Sequence, residues 1–257
     1  MDRNLLPLVS CICVTHQKPL LLKRAIDCFL AQTYQNKQLI ILYEDHDFAT
    51  CDFIETENLQ PNIKLVKVPG SPKETLGALR NIAINEADGL YVCQWDDDDW
   101  YHNNRLICQY EAIVAAKVSG SILTQWLVFD GESGKAFKSN VRNWEGSIMC
   151  KKDLIMEKGY DNVSRGEDTS LIDYLVEKEY LTFMNDMAGL YIYIYHGGNT
   201  WTYSHFNAIF DSSEEIFMHS DFINEILNGV IPISEGSQFL SNYLAFKTDD
   251  ISYTLLE

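Results

Sequence analysis

The 257 residues carry 37 acidic against 20 basic side chains, a formal net charge of −17, and are long enough for one large domain or two small ones with a sizeable core. A balance this acidic argues against a broad basic surface of the kind that holds nucleic acid or anionic lipid. It leaves room for a small anionic ligand held by a metal ion and a few local cations.

Taken in order, Leu8 to Val14 (LVSCICV) reads as a buried strand followed by a polar break, Thr15 to Pro19. Leu20 to Gln32 places Leu22, Ala25, Ile26, Phe29 and Leu30 at helical spacing. Gln38 to Tyr43 is a second apolar strand, ending in Glu44, Asp45, His46 and Asp47. Ile63 to Val68 alternates as a third strand, stopped by Pro69-Gly70. Glu74 to Ala87 is helical through Leu76, Leu79, Ile82 and Ala83, and leads into a fourth strand, Leu90 to Trp95. Strand alternating with helix predicts βαβ units and a mainly parallel sheet, in which ligands bind beyond the carboxyl ends of the strands. Beyond residue 103 the pattern predicts a helix over Asn104 to Lys117, strands over Ser121 to Phe129 and Gly146 to Cys150, and a helix over Asp168 to Lys178. Strands follow over Tyr180 to Met184 and Leu190 to Tyr195. From His205 onward the pattern fits a few helices, with nine acidic side chains and one base, Lys247, after Trp201.

The fourth strand ends in four consecutive aspartates, Asp96 to Asp99, bracketed by Trp95 and Trp100. Adjacent carboxylates repel, so a folded chain must solvate them or supply a cation. In an extended segment Asp96 and Asp98 point one way and Asp97 and Asp99 the other. Two carboxylates on one side of a strand end suit Mg²⁺ or Mn²⁺, which complete their shell with water and substrate phosphates. A solvated acidic turn is the competing reading. An EF-hand loop is excluded by Tyr101 at its sixth position and Ile107 at its twelfth. Neither G-x-G-x-x-G nor G-x-x-x-x-G-K-[ST] is present. Seven scattered cysteines without a C-x-x-C predict reduced, buried thiols and a cytosolic protein rather than a zinc site. No leader opens the chain and no apolar stretch approaches the ~20 residues a membrane span needs.

Four passages resemble the inverting glycosyltransferases of family 2, over about Pro7 to Trp201. LVSCICVTHQKPLLLKRAIDCFLAQTY is similar to that family's opening strand and helix. LGALRNIAINEADGLYVCQWDDDDW is similar to the segment leading into its D-x-D motif. SRGEDTSL resembles its E-D segment, and YHGGNTW a late H-x-x-N-T element. The resemblance implies a GT-A, Rossmann-like nucleotide-diphospho-sugar transferase fold. A mainly parallel central sheet would carry flanking helices and a short helical C-terminal extension. It divides the chain into a transferase domain at 1–205 (nucleotide-binding half about 7–105, acceptor-binding half about 106–205) and an acidic helical extension at 206–257 packed on the same domain.

The resemblance also implies a nucleotide-sugar donor, with UDP the expected nucleotide, Mn²⁺ or Mg²⁺ on its diphosphate, and a hydroxyl acceptor, expected to be carbohydrate. Asp98 falls at the metal position and His196 is a candidate second ligand. Asp96 and Asp97 share the ribose position, Glu44 and Asp45 the base-contacting acidic pair, and Thr15 and Arg80 further nucleotide contacts. Asp168 falls at the catalytic base, with Glu167 as its fallback. Equally, Asp is an ordinary helix N-cap. Trp144 and Trp201 are candidates to stack on a sugar ring. His16, His46, His102, His205 and His219 are read as structural, and Lys18, Lys23 and Lys73 as surface charges, with Lys18 near the expected crevice. The expected role is polysaccharide or glycoconjugate synthesis in the cytoplasm or at the inner face of the membrane, with a homo-oligomer left open. The rival is a transferase-like domain that binds nucleotide or carbohydrate without turning it over.

Overall fold

A computed structural model describes residues 6–244; residues 245–257 of the acidic extension, with Lys247, lie outside them. The chain begins β1 (Val9–Val14), α1 (Pro19–Leu30), β2 (Lys37–Glu44), α2 (Phe48–Thr56), β3 (Ile63–Val68), α3 (Leu76–Asn85), β4 (Tyr91–Gln94) and β5 (Trp100–Tyr101). It continues α4 (Arg105–Ala116), β6 (Gly120–Leu123), β7 (Leu127–Asp130), β8 (Lys135–Lys138), β9 (Met149–Lys151), α5 (Lys152–Lys158), α6 (Thr169–Glu177), β10 (Leu181–Met184) and β11 (Tyr191–Tyr195). It closes with α7 (Tyr203–Asp211), β12 (Glu214–Glu215), α8 (Ser220–Leu227) and α9 (Ile233–Leu240).

Among the described residues the strands form two sheets. The larger runs β10-β6-β9-β4-β1-β2-β3. It is parallel except for β9, which lies antiparallel to β4 and β6. Its central strands β1, β2 and β4 read as nearly unbroken apolar runs because helices cover both faces, while the edge strand β3 alternates. Val9, Cys11 and Cys13 of β1 pack with Leu22, Ala25, Ile26 and Phe29 of α1. Ile12 points to the opposite face, with Leu79 and Ala83 of α3. This is the α/β, GT-A architecture, with the ends of β1, β2 and β4 on one rim.

The smaller sheet, β12-β8-β7-β11-β5, was hidden by continuity of hydrophobicity. The apolar run Ser121 to Phe129 is not one strand: Thr124 to Trp126 carry the chain from β6 in the first sheet to β7 in the second. Thr124 Oγ1 donates to Met184 O (3.1 Å), and Ser139 Oγ accepts from the Trp126 N–H (2.9 Å). Both bonds hold the crossover. Helices α2 and α5 and strand β8, of nine, seven and four residues, also escaped the periodicity.

Residues 206–244 pack on the same core, through Phe206, Ile209, Phe210, Ile223, Ile226, Leu227 and Leu240. Polar tethers join them to the segment after the aspartates. His102 Nε2 donates to Ser237 O (2.8 Å) and Ser237 Oγ accepts from the Asn103 N–H (2.9 Å). His102 is fully buried; burial lowers its pKa to about 4, so it stays neutral and structural, as its sequence setting indicated.

Gly77 on α3 lies where a Cβ would stand 1.8 Å from Asp161 O and 3.0 Å from Glu167 Cβ. The first of these is backbone and cannot swing away. Gly77→Ala is therefore expected to cost about 2–3 kcal/mol by overpacking, seen as a Tm lowered by roughly 4–12 °C. Displacement of the 161–168 segment should weaken ligand binding alongside it.

Candidate active site

A cavity of about 480 Å³ opens beyond the ends of β1, β2 and β4, within the size range of small-molecule sites. Thr15, Glu44, Arg80, Asp96, Asp97, Asp98, Trp144, Glu167 and Asp168 all line it. Asp45 does not. It is exposed and accepts the Gly70 N–H (2.9 Å), because the chain turns at the end of β2. Of that acidic cluster Asp47 caps α2 through the Thr50 N–H (3.1 Å). Glu44 alone faces the cavity, 3% exposed with Oε1 unpartnered. His196 stands just behind the wall, on Asp98.

The aspartates do not alternate as an extended segment would, since the backbone turns over residues 97–99. Asp96 accepts from Arg80 Nη2 (2.7 Å) and Gln94 Nε2 (3.1 Å). Asp97 accepts from Thr15 Oγ1 (2.7 Å), so it also faces the cavity. Asp98 Oδ2 accepts from both Lys18 Nζ (2.7 Å) and His196 Nε2 (3.0 Å). Asp99 turns inward, where Tyr191 Oη donates to Oδ2 (2.5 Å) and the Ile194 N–H to Oδ1 (3.0 Å). Asp99 thereby ties the turn to β11, the strand that leads into His196.

This division sets the charges. Burial raises Asp97 to about 7, helped by the Asp98 charge and opposed by Lys18 and Thr15. Burial also acts on Asp98, but the His196 hydrogen bond and the Lys18 charge outweigh it and hold that carboxyl well below the usual range. Lys18, read from sequence as a surface charge, is instead largely buried, with a second contact to Asp97 Oδ1 (3.8 Å). Its one visible signal was its place in the polar break after the first strand.

Arg80, buried at 6% exposure, gathers the other carboxylates: Glu167, Asp96 and, at 3.7 Å, Asp168. Asp168 occupies the N-cap of α6 but with helical φ −90° and ψ −21°, and its side chain makes no capping hydrogen bond. A true Asp cap has extended backbone and binds the N2 or N3 amide. The carboxylate is thus left for the cavity. Burial lifts it to about 7; Arg80 opposes this, while Glu167 and Glu145 add to it.

Trp144 lies at the cavity wall, packed against an aromatic and a cationic neighbour. Trp126 stacks on it (4.6 Å, 26°) and the Arg142 guanidinium sits 4.6 Å from its centroid. Trp144 lines the cavity alongside Trp126 and Arg142. Trp201, 37% exposed, stacks on His205 (4.4 Å, 17°). Trp126, Arg142 and Tyr193 also line the cavity and were not singled out in the sequence, and so does His16, read there as structural; Trp126 and Tyr193 were hidden inside apolar runs.

Among the described residues no three His, Cys, Asp or Glu side chains converge on one point. Asp98 and His196 do meet, one carboxylate and one imidazole at a shared oxygen. A hard divalent cation that keeps waters and substrate phosphates needs no more protein than this, so the donor set fits Mn²⁺ or Mg²⁺ delivered with a diphosphate.

Residues 10–174 match the family model described as glycosyl transferase family 2. An uncharacterised glycosyltransferase, MJ1057, of Methanocaldococcus jannaschii is 28% identical over 133 residues, 51% of this chain and 46% of the relative. Glycosyltransferase GlyA of Streptococcus pneumoniae is 24% identical over 144 residues, 56% of this chain and 19% of the relative. The chain thus spans less than half the length of these curated relatives. In fold it is similar to residues 1–349 of Staphylococcus aureus TarS in complex with UDP-GlcNAc, with a TM-score of 0.61 at 15% identity over 91% of this chain and 71% of that one. The same TarS segment in complex with UDP gives a TM-score of 0.59. With its family model matched from the first strand through α6, the chain belongs to glycosyl transferase family 2.

Proposed function

We propose that this protein transfers a sugar, with inversion, from a UDP-sugar to a hydroxyl of a carbohydrate acceptor in the presence of a divalent metal. The observation that carries the reading is the uncapped Asp168 carboxylate facing the same cavity as the aspartate turn. A hydroxyl becomes a competent nucleophile when a carboxylate within reach takes its proton. Asp168 is set near neutrality and makes no capping bond, whereas Asp97, also set near 7, is engaged by Thr15. In-line attack from its side places the acceptor opposite the leaving diphosphate, which inverts the anomeric carbon. Arg80 fixes Asp96, Glu167 and Asp168 around one cation. Asp98 and His196 would hold the metal, which supplies charge neutralisation of the diphosphate as it departs. Thr15, Asp96, Asp97 and Glu44 form the wall for the nucleoside.

The similarity to a UDP-bound transferase supports uridine as the base. Polysaccharide or glycoconjugate synthesis in the cytoplasm, or at the inner membrane face, is the setting we propose. Among the described residues no helix is long and apolar enough to cross a membrane.

Calorimetric titration of UDP, GDP, CMP and dTDP, each with Mn²⁺ and with EDTA, tests the reading. UDP is expected to bind in the Mn²⁺ arm, at least tenfold more weakly with EDTA, and to lose that metal dependence in Asp98→Ala. Binding of no nucleotide in either arm overturns it.

A further inference from the structure

The Asp98–His196 pair is already served by a cation of the chain's own. Lys18 Nζ sits 2.7 Å from Asp98 Oδ2, the same oxygen that His196 meets at 3.0 Å, and 3.8 Å from Asp97 Oδ1. All three polar side chains around that oxygen are largely buried. Resting on the proposed function, we infer that Lys18 bars a free divalent ion from this site and yields it only to a nucleotide diphosphate, so that the metal enters with the diphosphate and not ahead of it.

The reasoning is electrostatic. A bare ion arriving at Asp98 must expel an ammonium from its salt bridge, and the ammonium then has only Asp97, still beside the incoming charge, to turn to. Two positive centres would share two carboxylates, with like-charge repulsion in a poorly solvated place. With one carboxylate and one imidazole as its protein donors, the ion gains too little to offset this. A diphosphate changes both sides of the exchange. It brings oxygens that complete the metal's shell and gives the ammonium a new anionic partner. Lys18 also stands at the N-terminus of α1, with Pro19 as its first residue and no side chain capping its amides. That end of the helix favours an anion and disfavours a second cation. Lysine suits such an exchange: it is a point charge on a flexible stem, free to follow a phosphate where a guanidinium fork would be held.

The test counts bound Mn²⁺ by loss of the free-ion electron paramagnetic resonance signal, on the full chain, with and without UDP. In the wild type, Mn²⁺ alone is expected to bind at least tenfold more weakly than Mn²⁺ with saturating UDP. Lys18→Met should bind Mn²⁺ alone at least tenfold more tightly than wild type. Adding Asp98→Asn to that variant should erase the gain, and Lys18→Arg should keep free Mn²⁺ out. Equal affinity of wild type and Lys18→Met for Mn²⁺ alone, with UDP-linked Mn²⁺ binding intact in both, overturns the role of Lys18 and leaves the proposed function standing. UDP binding with no effect on Mn²⁺ in the wild type overturns both the metal site and the gate.

Discussion

Asp168→Asn is expected to lower the rate of sugar transfer by about 10²–10⁴-fold, the usual contribution of a positioned base, while the Kd for UDP stays within about twofold. The amide has the carboxylate's shape, and it leaves α6 intact because Asp168 supplies no capping hydrogen bond to lose. Arg80 keeps Asp96 and Glu167, so the nucleotide side of the cavity is undisturbed. A domain that only binds would show no such split between rate and affinity. The wild-type pH profile carries the same signature. Asp168 accepts a proton only when ionised, and burial sets its carboxyl at about 7. Transfer should therefore fall about tenfold for each pH unit well below 7 and level off above about 8. In Asp168→Asn the residual rate should lose that limb. Glu167→Gln, by contrast, should act mainly through Arg80, changing stability and affinity more than the shape of the profile.

Arg80→Met is expected to cost about 3–5 kcal/mol, the range for breaking a buried ion pair by removing one partner. For a chain of this size that is a Tm lowered by roughly 6–20 °C. Desolvation opposes the charge of Arg80, yet Asp96, Glu167 and Asp168 outweigh it and hold the guanidinium more firmly protonated than usual. Without it the three carboxylates face one another with no cation between them, and Asp168, already raised by burial to about 7 against the pull of Arg80, rises further above its unfolded value. Groups raised in this way stabilise the fold below their unfolded pKa and lose that contribution as pH climbs through the folded value. The deficit of Arg80→Met against wild type should accordingly shrink between pH 8 and pH 5, as followed by thermal unfolding. Arg80→Lys should recover only part of it, because an ammonium cannot present a fork to several carboxylates at once. Activity should fall with stability, since Asp96 and Asp168 are released together.

Much of this arrangement was legible in the chain. Apolar runs marked β1, β2 and β4, because strands covered on both faces have no polar side to show, and alternation marked the edge strand β3. The chemistry of Asp96 to Asp99 marked the rim they reach. The directions of those carboxylates were not legible, since they depend on a backbone turn after Trp95 that side-chain alternation cannot reveal. Asp45 and Glu44 looked equivalent in sequence, and one peptide of curvature at the end of β2 separates them. Trp144 lies at the cavity, and its stacking partner Trp126 comes from the crossover between the sheets, so that pairing was invisible in the sequence. Lys18 was discounted for a similar reason. A lone lysine in a polar break has no periodicity, and its carboxylate partners lie about 80 residues away.

The bond network of Asp99 has a wider meaning for how this cavity behaves. Its carboxylate is fastened at both oxygens to β11, and β11 belongs to the second sheet while β4 belongs to the first. The aspartate turn and the strand that delivers His196 therefore move as one mechanical body. The aperture between Asp98 and His196 is then not adjusted by hinging the sheets. What remains free to respond to a substrate is side chains, Lys18 foremost, and the glycine-rich segment at 197–198. On the proposed function, discrimination between ligands would rest on a fixed frame with a few movable side chains, and substitutions that slacken the frame are expected to surface as lost discrimination between nucleotides before they surface as misfolding.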